Sequence, residues 1–163
     1  MKLNSFFSIL IVTILFSAAL NAKSGYLDID ADHFESNKEK NYIYFKGNVT
    51  MVKNEDILKC QELFITTTTE QKKQIPKDYK ASGNVSFSVH TNDNILKGKG
   101  DTVFYYPDDQ KYIIIGDAYL EDTKEGKKLN AHKIYIDEKT GQTKIDGQKD
   151  KPVKFRIKLE GDK

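Results

Sequence analysis

From Leu27 onward, apolar residues alternate with polar ones. Leu27, Ile29 and Ala31 alternate with Asp28, Asp30 and Asp32; Val85, Phe87 and Val89 alternate with Ser86, Ser88 and His90. Near the C-terminus Val153, Phe155, Ile157 and Leu159 alternate with Lys154, Arg156 and Lys158. A period of two gives a segment one buried face and one wet face, so these read as half-buried β-strands. Beyond residue 22 no apolar stripe of helical period competes with them. Clusters of Asn, Asp, Gly and Pro at 37–40, 53–56, 91–94, 107–110, 124–126 and 138–141 supply turns between strands. The stretch 70–80, running from Glu70 to Lys80, is longer and more charged, and is expected to be a mobile loop.

A longer period lies over the alternation. Phe45-Lys46-Gly47-Asn48-Val49 returns as Ala81-Ser82-Gly83-Asn84-Val85, then as Ile114-Ile115-Gly116-Asp117-Ala118, then as a worn Ile145-Asp146-Gly147. The glycines are 36, 33 and 31 residues apart, a spacing that signals stacked supersecondary units. The strand after each of the first three phrases carries a small residue, Cys60, Gly100 or Ala131, and Ala31 is an orphan copy. Two residues earlier stand Ile29, Leu58, Gly98 and Leu129; three residues later stand Phe34, Leu63, Val103 and Ile134; five later stand Ser36, Ile65, Tyr105 and Ile136. The inward phase therefore slips from even to odd just past the small residue, which is what a β-bulge or sharp corner produces. Gly47, Gly83, Gly116 and Gly147 are expected to make the same corner on the other strand. Each repeat is then a bent hairpin. Stacked, they form an all-β fold, an open-ended roll of two facing antiparallel sheets with apolar residues inside.

Composition narrows the class. Residues 1–22 have a positive start at Lys2, an apolar run from Phe6 to Phe16 and small residues up to Ala22, the grammar of a secretory signal peptide. The run is short for a spanning helix, which needs about 20 apolar residues. The expected domain is 23–163, one unit of 141 residues. It carries 25 basic and 24 acidic residues, a balance that argues against nucleic acid as partner. Its single Cys60 allows no internal disulfide, so stability rests on burial.

Little in the chain is suited to catalysis. His33, His90 and His132 form no metal-binding pair, and Asp28, Asp30 and Asp32 lie along a strand where calcium needs a sharp turn to gather its ligands. Lys97-Gly98-Lys99-Gly100 sits mid-strand and reads as repeat geometry, not as a phosphate loop. No enzyme activity, metal or cofactor is expected. What remains is the apolar lining: Ile43, Phe45, Val49, Met51, Leu58 and Leu63 from the first half, and Val85, Phe87, Leu96, Val103 and Ile134 from the second. It is either a plain core or a groove for an apolar ligand, and composition alone does not separate the two.

A signal peptide, an Ala31-Asp32-His33-Phe34 strand, and Gly-Asn-Val phrases each followed by a Leu-x-Cys or Leu-x-Ala strand together resemble the OstA/LptA-like family of periplasmic lipopolysaccharide-transport proteins of Gram-negative bacteria. The resemblance covers nearly all of 23–163. The chain departs from the pattern at Gly100, where Ala is usual, at Gly116-Asp117-Ala118, and at the incomplete copy around Gly147. The resemblance implies a twisted β-jellyroll. It implies that the apolar lining takes the acyl chains of lipid A and that protomers join head to tail. It implies a bridge in the periplasm between inner- and outer-membrane components of the transport machinery, without catalysis. A membrane-anchored jellyroll that receives lipopolysaccharide in the same pathway is the alternative within the family. A structural β-repeat module with no lipid ligand is the alternative outside it.

The two ends differ in charge. Leu27, Asp28, Ile29, Asp30 and Asp32 form an acidic first edge; Val153, Lys154, Phe155, Arg156, Ile157 and Lys158 form a basic last edge. Terminal strands of an open roll are edges able to pair with another chain. Acidic-to-basic pairing favours head-to-tail contact over like-to-like.

Overall fold

The computed structural model describes residues 26–71, 73–90 and 94–158; the segment 1–22 lies outside them. The described residues form ten strands and no helix. They are β1 (Leu27–Asp30), β2 (His33–Asn37), β3 (Tyr42–Lys53), β4 (Asp56–Glu70), β5 (Lys73–His90), β6 (Ile95–Tyr106), β7 (Lys111–Asp122), β8 (Lys127–Asp137), β9 (Gln142–Asp146) and β10 (Lys154–Arg156). The order is β1-β3-β4-β5-β6-β7-β8-β10, with β2 also on β3 and β9 also on β8. Every pairing is antiparallel.

The ladder is bent along one line, and the glycine phrase draws that line. Pairing of β3 with β4 skips between Lys46 and Val49, so Gly47 and Asn48 together oppose Gln61. The same two-against-one count sets Gly83-Asn84 against Asp101 and Gly116-Asp117 against His132. Both residues of each pair are left-handed, with φ of 81° and 47°, 79° and 49°, and 81° and 41°. Such a bulge bends the strand and shifts its facing by one residue. Glycine is required for a second reason. The polar residue that follows the small one on the preceding strand lies over it. A Cβ at Gly47, Gly83 or Gly116 would come within 2.3, 2.7 or 2.0 Å of the side chains of Asp32, Gln61 and Asp101. The slip lets Cys60 and Leu63, three residues apart, both be buried.

The corners divide every long strand between two walls. The first wall holds β1, β10 and the segments 49–53, 56–60, 85–90, 95–100, 118–122 and 127–131. The second holds β2, β9 and 42–46, 62–70, 73–82, 102–106, 111–115 and 133–137. One apolar cluster lies between them, with Met51, Leu58, Phe87 and Val89 from the first wall and Leu63, Ala81, Val103 and Ile134 from the second. Gly98 faces Phe87 across the β5–β6 ladder and leaves room for its ring; an added Cβ would sit 2.0 Å from Phe87 Cζ.

Three expectations are corrected. The stretch 70–80 is not a mobile loop. Thr66 to Glu70 continue β4 and pair with Lys73 to Asp78 of β5, around a turn in which Gln71 has φ 47°. β-branched threonines favour this extension. Gln74 Nε2 donates to Thr67 Oγ1 at 2.8 Å. Pro76 fits because β5 there has β4 alone as neighbour, and the register shifts beside it. Gly147 makes no corner: β9 stops at Asp146, and Gly147 packs against the backbone of Lys151 to Val153, where a Cβ would meet atoms at 2.9–3.0 Å. The last strand is shorter than its alternation suggests. Only Lys154 to Arg156 pair, against Lys128 to Asn130, and Leu159 lies outside the described residues.

Candidate functional site

The bent ladder gathers all eleven lining residues into one cluster. Val49, Met51, Leu58, Leu63, Val85, Phe87, Val103 and Ile134 are buried; Ile43, Phe45 and Leu96 are half-buried and packed against them. Among the described residues this interior holds a cavity of about 20 Å³, lined by Met51 and Leu58 on one wall and by Leu63, Tyr79, Ala81, Val103 and Tyr105 on the other. That is room for about one water molecule. Buried apolar side chains of the two walls pack against one another around this cavity.

The repeat marks Tyr105 as inward, while Tyr79 falls in the stretch expected to be a loop and Tyr112 is not singled out by the sequence. Register places them opposite one another on β5, β6 and β7. Their rings stack, with centroids 5.9 Å apart for Tyr79–Tyr105 and 4.6 Å for Tyr105–Tyr112. Burial pushes the Tyr79 phenol up to about 12 and raises that of Tyr105. Just past β8, burial lifts the Glu138 carboxyl to about 7. Tyrosines and Glu138 form a polar fringe to an apolar interior. Burial also pushes the Cys60 thiol up to about 11, which makes it a small apolar filler with little thiolate to react.

The open edges are double at each end. β1 and β2 both lie on β3, and β9 and β10 both lie on β8, with no further strand beyond them among the described residues. The sequence names β1 and β10 as edges; it places Phe34, Ser36 and Ile145 on repeat strands but does not mark β2 and β9 as edges. Leu27, Phe34, Val153, Phe155 and Ile157 are exposed there. Phe34 tilts against Phe45 at 5.2 Å, so the interior row reaches the edge uncovered. Asp28 and Asp30 stand on β1, but Asp32 belongs to the first corner: its N–H donates to Gly47 O and it accepts from Asn48 Nδ2, both at 2.9 Å. The three histidines sit on β2, β5 and β8, with His132 Nδ1 2.8 Å from Gln148 Nε2.

A bent antiparallel ladder with an apolar interior and open edge strands is an all-β jellyroll, and comparison gives its family. The family described as "LptA/(LptD N-terminal domain) LPS transport protein" matches residues 28–142, and the chain belongs to that family. Among solved structures it is similar to LptH from Pseudomonas aeruginosa, described as the LptA homologous periplasmic component of the conserved lipopolysaccharide transport device. The TM-score is 0.66 at 12% identity, over 82% of this chain and 96% of that one, a likeness of fold. No curated protein matches the sequence.

Proposed function

We propose that this protein is a soluble periplasmic bridge that shields lipid A between its walls and hands lipopolysaccharide from the inner membrane toward the outer membrane. The single observation that supports this is the apolar row that crosses both walls and reaches uncovered edges at Phe34 and Phe155. On this reading residues 1–22 direct export and 23–163 form the working domain, which catalyses no reaction. Burying an acyl methylene gains about 0.8 kcal/mol, so a few methylenes hold a chain without trapping it. The near absence of polar anchors inside suits hand-over. The filled interior favours one second reading, a structural module with a dry core.

Photocrosslinking separates the two. A photoreactive residue at Phe45, Phe87 or Val103 is expected to give lipopolysaccharide adducts in cells, while one at the outward Lys46 on the second wall gives none. No adduct from any interior position leaves the structural module.

Head-to-tail joining is part of the proposal. Asp28 and Asp30 on one end and Lys154, Arg156 and Lys158 on the other are complementary, and such a heterologous contact extends into filaments. Changing Lys154, Arg156 and Lys158 together to Glu is expected to reduce self-association in sedimentation velocity. An unchanged size distribution removes charge from the account of assembly.

A further inference from the structure

The outer faces of the two walls differ in charge. On the first wall, register aligns two rows of outward side chains across β4 to β10. One row runs Lys59, Ser86, Lys99, Tyr119, Asn130, Lys154; the next runs Ile57, Ser88, Lys97, Glu121, Lys128, Arg156. Six cations stand there with one acid, and beyond β4 the same rows pass through Thr50 and Val52 to end at Asp30 and Asp28 on the β1 edge. The acid among the six cations is already engaged: Lys128 Nζ lies 3.0 Å from Glu121, and Tyr119 donates to it at 2.8 Å. Lys59, Lys97, Lys99, Lys154 and Arg156 are exposed. On the second wall the row beside the corner mixes signs, with Lys46 beside Glu62 and Lys133 beside Asp146, and the next row sets Lys80 and Lys144 among Tyr44, Phe64, Phe104 and Tyr135. The chain as a whole carries only +2, while the part of this first-wall face from β4 to β10 carries a surplus of five positive charges.

We infer that the outer face of the first wall docks on an anionic phospholipid surface. Charge complementarity points to a polyanion. Its shape points to a membrane. From β4 to β10 the cations spread over five strand spacings, about 24 Å. Ser86 and Ser88 keep the face low between Lys59 and the pair Lys97 and Lys99. A broad pattern of exposed lysines matches a plane of headgroups better than a single group. Lys59, Lys97 and Lys99 lie at least two strands inside the edges, so end-to-end assembly leaves them available. This face is separate from the apolar interior, and the inference goes beyond the lipid A reading.

The test is co-sedimentation of the purified protein with two kinds of vesicle, phosphatidylcholine alone and phosphatidylcholine mixed with phosphatidylglycerol. Binding is expected to the mixed vesicles only and to fall steeply as salt is raised. One lysine near an anionic leaflet is worth roughly a five-fold change in binding, so the triple variant Lys59→Gln, Lys97→Gln, Lys99→Gln is expected to bind on the order of a hundred-fold more weakly. Equal binding of wild type to both vesicles overturns the inference, as does an unchanged triple variant. Binding to soluble dextran sulfate without binding to either vesicle also overturns it, in favour of another polyanion. Displacement of a fluorescent lipid A, measured without vesicles, reads the interior separately: the triple variant is expected to keep it.

Discussion

Gly83→Val is expected to destabilise the protein by about 3 kcal/mol, more than any surface substitution on the same strand. Two costs combine. Gly83 has φ 79°, and a left-handed conformation costs an ordinary L-residue roughly 1–2 kcal/mol, with a β-branched one at the upper end. The added Cβ would also lie 2.7 Å from Gln61 Cβ, and overpacking of that kind costs about 1–3 kcal/mol. Gly141 separates the two. It has φ 68° with nothing within 4 Å of its would-be Cβ, so Gly141→Val carries the backbone cost alone. Urea denaturation of both variants provides the check. If Gly83→Val and Gly141→Val lose the same stability, the contact with Gln61 plays no part in the corner. If neither loses any, the left-handed corner is not what holds the walls at their angle.

The corner was legible before any coordinates because it combines two signals that occur together for a physical reason. A left-handed pair demands Gly followed by Asn or Asp, and the phase slip it causes moves the apolar set from one parity to the other. Cys60 with Leu63, and Gly100 with Val103, record that slip in the sequence. The copy at Gly147 has the glycine but no Asn or Asp behind it, and the chain there turns under its own backbone instead. The charges of the stretch 70–80 suggest solvent, while its strand character rests on pairing. Thr67 and Pro76 meet only through the β4–β5 register, which composition does not reveal. The lining residues were legible as inward positions. Their closeness was not, because whether facing walls leave a trough or close on each other depends on side-chain volumes across the gap. The Tyr79–Tyr105–Tyr112 stack was hidden for the same reason, since three tyrosines spread over 34 positions become neighbours only through register.

The nearly closed interior makes a demand on lipid binding that an open trough would not. On the proposed reading, acyl chains displace contacts between the walls, so the residues that line the gap serve as both core and site. Phe87→Asp exposes the conflict. The side chain is buried on Gly98, and a carboxylate there, with no ionic partner provided for it, costs several kcal/mol. Loss of lipid A binding in that variant is expected, but unfolding alone would produce it. Phe45 avoids the ambiguity. It is half-buried beside the exposed Phe34 on edge strand β2, where a carboxylate can turn toward solvent. Phe45→Asp is therefore expected to keep its strand content in circular dichroism and a cooperative melt. Displacement of a fluorescent lipid A by lipopolysaccharide is expected to weaken by at least about ten-fold, since the change removes roughly 1.5–3 kcal/mol of apolar burial and adds a charge to the path of the chains. Phe45→Leu, which keeps an apolar side chain, is expected to stay within about three-fold of wild type. A folded Phe45→Asp protein that binds lipid A as well as wild type would mean that acyl chains do not pass between the walls at this end, and the shielding role would then fail at the place where the apolar row is most open.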